Sequence, residues 1–427
     1  MKIVFVLENA NRQNNGTTVT CLRFASELRK RGHQVTILGQ KIPDDETSHY
    51  WVDYAGLDHY PLPIPLFEKI IQNEGFNFVV VDDATIYNTI KDADVVHLFL
   101  PFKLSKHCQM IADSLGVAVT GAYHMSPYNI TGVLHMGHHR FPNWLIYRSF
   151  RNYLFNHVKN IHCPSQMVAD DLKAEHYDRN HMWAISNGIN GYFHPVEAER
   201  PAELKDKFIV TMSGRLSAEK RQDLILRAVG ASKYNDKIQV ILCGQGPAKA
   251  RYEQDSVLYR LKNPAIIKFC RAEELRETLN YTDLYVHASD FETEGISCME
   301  ALACGAVPII SDSKYCATKG FSLSPECIFK HGKYKSLRDQ IDFFYEHPDL
   351  RKELSAKYLE YSKQFALQSQ VDKMEEFLNT AIEEKKNGQD LPTLYPSKKD
   401  LRKERKIFKK LIEKGIVSEM PERLRKK

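Results

Sequence analysis

Short apolar runs recur along this chain, each separated from the next by a segment of helical period, and the series is played through twice. In the first half they are KIVFVL (2–7), QVTIL (34–38), DVVHLFL (94–100), GVAVTGAYH (116–124) and NIHCPS (160–165). In the second half they are KFIVTMSG (207–214), IQVILCG (238–244), AIIKFC (265–270), DLYVHAS (283–289) and AVPIIS (306–311). Continuous apolar runs of this length are strands buried on both faces, and their alternation with helices requires parallel sheets joined by crossovers. Between the first two runs, TVTCLRFASELRKRG places Cys21, Phe24, Ala25 and Leu28 on one helical face and stops at Gly32. Pro308 inside AVPIIS is awkward for a central strand. The expected fold class is α/β, with two doubly wound domains facing a cleft. The polar stretch HPVEAERPAELKD (194–206) reads as the linker, giving domains at 1–195 and 205–386 and a linker with a basic tail at 387–427. Helices around 335–386 complete the second domain and can cross back onto the first.

At 427 residues the chain is long enough to bury two cores. No apolar run approaches the roughly 20 residues that span a bilayer. Residues 3–7 are too short and too soon followed by Glu8 for a signal peptide. Nine cysteines without a CxxC pair read as buried thiols of a cytoplasmic protein. Charge is uneven: residues 398–427 hold 13 Lys or Arg against 5 Asp or Glu, a net +8, so the rest carries −3 of the total +5. A nucleic-acid enzyme spreads positive charge over its working face, and this body does not.

Ligands of parallel sheets bind beyond the carboxyl ends of the strands, which makes the residues after each run the candidates. SGRLSAEKR (213–221) follows one run, with Ser217 as a helix N-cap and Lys220 and Arg221 in the first turn. Cations there oppose the helix dipole unless an anion binds nearby. Gly244-Gln245-Gly246-Pro247 follows the next run; its glycines admit a ligand to the backbone or form an ordinary turn. FETEGISCMEALACG (291–305) sets Glu292 before a helix that starts near Gly295 and Glu300 within it. Eight helical residues span about 12 Å, the reach of a nucleotide sugar from hexose to ribose. Free N–H groups at the helix start suit the diphosphate between, and carboxylates suit hydroxyl donors at either end.

The run E-x7-E followed by ALACGAVPIIS, downstream of GRLSAEKR and ISNGINGYF (185–193), resembles the family-4 retaining glycosyltransferases of the GT-B fold, built from two Rossmann-like domains. The resemblance covers residues 1 to about 385. It implies that Arg215 and Lys220, beside Gly214, hold the donor diphosphate, with Gly244 and Gly246 lining the nucleotide site. It implies that Glu300 binds the ribose and Glu292 the transferred sugar. Gly295, Ile296 and Ser297 offer amides to phosphate or sugar, and His124 in GAYHMSP touches the hexose. The first loop, NANRQNNGTTVT, keeps only Gly16 where members often pair glycines. Thr293 and Glu294 replace a glycine and an aromatic. HCPSQMVADDL, YHMSPYNIT and FETEGISCMEALACG look most like the bacterial lipid glucosyltransferases that make monoglucosyldiacylglycerol. The expected activity is therefore transfer of glucose from a UDP-sugar to a membrane lipid such as diacylglycerol, with no metal or other cofactor. A soluble polysaccharide or protein acceptor is the alternative.

His135, His138 and His139 could share a helical face, but no cysteine or carboxylate nearby completes a zinc set. HHRFPNWLIYRSFRNYLF (138–155) mixes arginines with aromatics, as either a half-buried packing helix or a surface for acceptor or bilayer. A dinucleotide oxidoreductase is disfavoured because no GxGxxG follows the first run. In the tail, Leu401, Phe408, Leu411 and Ile412 fall near one stripe ringed by Lys403, Arg405, Lys406, Lys409 and Lys410. That pattern predicts a helix lying on an anionic membrane, hence a cytoplasmic protein peripheral to the inner face.

Overall fold

The computed structural model of the chain describes residues 1–9, 16–41, 53–63, 77–133, 139–390 and 397–425. It divides into two compact units, Met1–Ile185 with Gln370–Lys427, and Ser186–Ser369. Among the described residues the first unit carries seven parallel strands: β1 (Lys2–Leu7), β2 (Gln34–Gln40), β3 (Asp53–Leu57), β4 (Val95–Leu98), β5 (Ala118–Ala122), β6 (Asn160–Cys163) and β7 (His181–Ala184). Their order is β3-β2-β1-β4-β5-β6-β7. Residues Ile3 to Val6 of β1 have a partner on both sides, which is why the run is apolar without alternation. Helix α1 (Gly16–Lys30) buries Cys21, Phe24, Ala25 and Leu28, the face expected from its period. Gly32, at φ +88°, ends it by turning the His33 N–H back to the Leu28 carbonyl. On the sheet lie α2 (Lys103–Leu115) and α3 (Arg140–Tyr153).

The second unit holds six parallel strands: β8 (Phe208–Ser213), β9 (Ile238–Cys243), β10 (Ile266–Lys268), β11 (Leu284–His287), β12 (Val307–Ser311) and β13 (Ile328–Phe329), ordered β10-β9-β8-β11-β12-β13. Pro308 does lie in β12. It faces Tyr285 of β11, while β13 pairs only with Ile310 and Ser311, so no ladder on that side asks for the missing N–H. In both sheets the strand order reverses beside the first strand, at β1–β4 and at β8–β11. Crevices at such switch points take ligands. The loop before α4 (Gln222–Gly230) and the loop before α5 (Ile296–Ala303) emerge at the second one.

The divide between the units differs from the sequence reading, whereas the return of the last helix to the first unit is one that reading allowed. The stretch 194–206 is not the divide: Ile189 and Phe193 already pack in the core of the second unit, so the change falls at Ile185 and Ser186. Helix α6 (Leu367–Lys386) belongs to the first unit from Gln370 on, where the Phe377 ring meets those of His97, His162 and Trp183. The tail is the larger correction. Helix α7 (Lys398–Glu413) is capped by Ser397 and buries Phe408 and Leu411 against Leu104, Cys108 and Ile111 of α2. Glu404 is wholly buried, accepting from Ser114 and paired with Arg423 at 3.3 Å. Phe408 and Leu411, the centre of the apolar stripe, are core and unavailable to a bilayer because α2 offers them a matching apolar face, while Leu401 and Ile412 are half-buried. Lys398, Lys399, Arg402, Lys403, Lys406, Lys409 and Lys410 stay exposed.

Candidate functional site

The loop after β8 and the loop after β9 lie against one another. Gly214 donates to the Cys243 carbonyl, Leu216 N–H to the Gln245 carbonyl, and Ala248 N–H to the Leu216 carbonyl. A Cβ on Gly244 would stand 1.9 Å from the Gly214 carbonyl oxygen, and one on Gly246 would stand 2.4 Å from that of Leu216. The close approach that these glycines permit is therefore of loop to loop. Pro247 lies in the turn before a helix that starts at Lys249, not at its first position.

The helix expected to start at Ser217 starts later. Ser217 heads a single 3₁₀ turn, Ala218–Lys220, and Arg221 at φ +56° turns the chain into α4. Lys220 and Arg221 thus precede the helix, and each has a carboxylate partner from the loop after β11. Lys220 Nζ lies 2.5 Å from Glu292 Oε2, and Arg221 lies 3.2 Å from Asp290 Oδ1. His331 Nε2 also reaches Asp290, at 2.6 Å, and the Asp290 N–H donates to the Glu219 carbonyl. Asp290 and His331 were absent from the sequence reading, which named Arg221 only as a cation in a helix's first turn. Their link joins strand ends that no local pattern connects.

Glu292 is strapped by main-chain bonds, its N–H to the Tyr315 carbonyl and its carbonyl to the Ala317 N–H. Burial opposes its ionisation, yet the Lys220 ammonium, with help from His287, outweighs this and holds the carboxyl down at about 2. His287, the last residue of β11, is wholly buried, with Nε2 3.4 Å from the same Oε2. Burial pushes its imidazole below the ordinary range, so it is neutral at pH 7.

Gly295, at φ +100°, begins α5, and a Cβ there would meet Thr318 Cγ2 at 2.1 Å. Residues 292–295 are not helical, so the Glu292–Glu300 span is a turn plus one helical stretch and not the 12 Å rod expected. Ile296 and Ser297 form the first turn, Ser297 Oγ lies 3.1 Å from the Tyr285 hydroxyl, and Glu300 lies buried one turn further on. Glu294 points inward, and both its oxygens accept the Asn187 N–H, at 3.0 and 3.2 Å. Burial raises its carboxyl to about 8.

The other candidates belong to the first unit. His124 follows β5, stacks on Phe99 and meets His162 edge-on at 5.0 Å, with Nε2 buried and unbonded. Burial, then His162, pushes it well below the ordinary histidine range. Gly16 opens α1, while residues 10–15 before it, and His135 and His138 of the suspected zinc set, lie outside the described residues. Among the described residues, no group of three His, Cys, Asp or Glu is placed to hold a metal ion, and no helix is long and apolar enough to cross a membrane. Helix α3 is a half-buried packing helix with one exposed apolar face. Tyr147 and Phe150 pack inward, while Phe141 (71% exposed), Trp144 and Leu145 face solvent with Arg148 over the Trp144 ring.

Two doubly wound units, with a cation–carboxylate cluster at a switch point, define a two-domain enzyme of the GT-B type. Glycosyltransferase Family 4 matches residues 14–191 and Glycosyl transferases group 1 matches residues 195–363. The chain belongs to these glycosyltransferases and is a hexosyltransferase. It is 26% identical to a GDP-mannose-dependent alpha-mannosyltransferase of Corynebacterium glutamicum over 323 residues, 73% of this chain and 72% of that one. It is 24% identical to the alpha-monoglucosyldiacylglycerol synthase of Streptococcus pneumoniae over 331 residues, 74% of this chain and 72% of that one. Among solved structures, Anabaena HepE in complex with UDP and glucose superposes with a TM-score of 0.68 at 14% identity, covering 89% of this chain and all of that one.

Proposed function

We propose that this enzyme moves glucose from UDP-glucose to a membrane lipid, diacylglycerol or a close relative, with retention of anomeric configuration, on the inner face of the cell membrane. The observation that carries the donor half is the Lys220–Glu292 pair, which sets an ammonium and a carboxylate side by side at the β8–β11 switch point. Lys220 and Arg215 neutralise the diphosphate, with amides of Gly295, Ile296 and Ser297 at the start of α5. Glu292 accepts from hydroxyls of the hexose, and Glu300 from those of the ribose. Gly244 and Gly246 keep the two loops close enough to form one wall, with the Gly214 carbonyl against Gly244. As the sugar–phosphate bond breaks, positive charge grows on the sugar and negative charge on the leaving oxygen. Fixed charges on either side stabilise both, and the leaving phosphate can take the acceptor's proton. His124, neutral and with a free Nε2, is assigned to a hexose hydroxyl.

Support for the lipid half comes from α3, whose exposed Phe141, Trp144 and Leu145 beside Arg140 and Arg148 are the composition of a headgroup contact. The exposed lysines of α7 add attraction to anionic lipid. The glucolipid synthase of Streptococcus pneumoniae points the same way, whereas the mannosyltransferase relatives favour GDP-mannose. The test is a panel: UDP-glucose, UDP-galactose and GDP-mannose, each with diacylglycerol vesicles and with a soluble glycan. Product only from UDP-glucose and vesicles is expected. Product only from GDP-mannose, or only on the soluble acceptor, would replace the corresponding half.

A further inference from the structure

Glu292 has two neighbours that can donate to it, the half-buried Lys220 and the buried His287, and only one is free to stay. Lys220 holds Oε2 at 2.5 Å. If Lys220 serves the donor diphosphate, its ammonium must share or leave that oxygen when the donor binds. The other neighbour is His287, whose Nε2 lies 3.4 Å from the same atom. Neither ring nitrogen of His287 has a hydrogen-bond partner, although the residue is wholly buried. An imidazole so placed is costly to the fold unless it works, since an apolar side chain would fill the same space without two unsatisfied polar atoms. Its ring lies nearly parallel to that of Tyr285, 6.3 Å away, as the last residue of β11. Thr318, wholly buried with an unbonded hydroxyl, closes the other side of the Glu292 turn.

We propose that His287 is the positioning residue of Glu292: as the neutral Nε2–H tautomer it takes over the carboxylate when Lys220 turns to the diphosphate, and fixes it against the transferred sugar. The inference rests on the donor-site reading above. His287 touches no substrate; it acts through Glu292. With the carboxylate held, its free oxygen keeps one orientation toward the sugar hydroxyls. Without the histidine it either follows Lys220 or rotates away.

The test uses the full chain with the donor and acceptor that the panel identifies. His287→Leu should keep UDP affinity within about twofold and stay folded at the assay temperature, while kcat falls tenfold or more with KM for the donor sugar little changed. His287→Gln, whose amide nitrogen reaches the position of Nε2, should recover most of the turnover. His287→Asn, whose amide nitrogen reaches only as far as Nδ1, should not. The Gln-against-Asn contrast decides the matter even if the Leu variant fails to fold. Wild-type turnover in the Leu variant, or equal loss in Gln and Asn, would overturn the proposal. Failure of the underlying reading looks different: Lys220→Met would then bind UDP as wild type does, whatever His287 variants do.

Discussion

Replacing Lys220 by Met removes a cation and leaves its length. Read from the sequence, that lysine opposes its own helix dipole, and its loss should cost the fold little. The structure reverses the expectation, because Lys220 lies before the helix and holds Glu292, whose side chain is 17% exposed. The fall of the Glu292 carboxyl from 4.5 to about 2 corresponds, at about 1.36 kcal/mol per tenfold change in proton affinity, to about 3 kcal/mol. His287 supplies part of it, so about 2–3 kcal/mol at pH 7 is the expected loss for Lys220→Met. The sign follows from a depressed carboxyl. This stability is complete above pH 4.5 and disappears as pH falls toward 2. Both tryptophans among the described residues, Trp144 and Trp183, belong to the first unit, so fluorescence is a poor reporter of the change. Hydrogen exchange at β8 and β11 in a urea series reads the second unit directly. Lys220→Met with Glu292→Gln should regain most of the loss, since no buried charge is then stranded. Equal protection of β8 and β11 in wild type and Lys220→Met at pH 7 would refute the reasoning.

Glu294, with its carboxyl raised to about 8, makes the opposite contribution: stability is highest below 4.5 and declines as pH rises through 8. Glu294→Gln should therefore flatten the profile of the second unit and gain up to about 3 kcal/mol at pH 7, read by urea titration at several pH values. In the first unit His97, His124 and His162 are all held below the ordinary value by burial, so stability there is complete above 6.5 and falls as they are forced to charge. A tryptophan-fluorescence melt should drop between pH 6.5 and 4 while exchange protection of β8 does not follow it. Gly244→Ala drives a methyl onto the Gly214 carbonyl and should weaken both UDP binding and the second unit, by about 2 kcal/mol or more. Truncation after Ser397 exposes the site of Phe408 and Leu411, so it should destabilise the first unit by several kcal/mol, at about 1.5–3 per buried side chain, and not merely loosen vesicle binding. Phe141→Ser with Trp144→Ser should do the reverse, lowering cosedimentation with anionic vesicles while melting temperature and UDP affinity hold.

The strands were legible where both faces are buried. KIVFVL, IQVILCG and DLYVHAS name themselves because each is paired on both sides and covered by helices, so the apolar pattern has no competitor. The edge strands Asp53–Leu57 and His181–Ala184 carry polar and aromatic residues on open faces, and no run marks them. The candidate site was legible as residue types: Lys220 and Glu292 stand in loops that follow strands, Gly295 where the chain enters a helix, and Glu300 within that helix. Who touches whom was not. That Lys220 pairs with Glu292, that Arg221 and His331 converge on Asp290, and that Glu294 turns inward to the Asn187 amide depend on strands β8 and β11 lying side by side. The same holds for the tail. Its amphipathic period fixed a helix with one apolar face, and a membrane and a protein core meet that face with the same chemistry. Only the apolar surface of α2, nearly 300 residues earlier in the chain, decided between them.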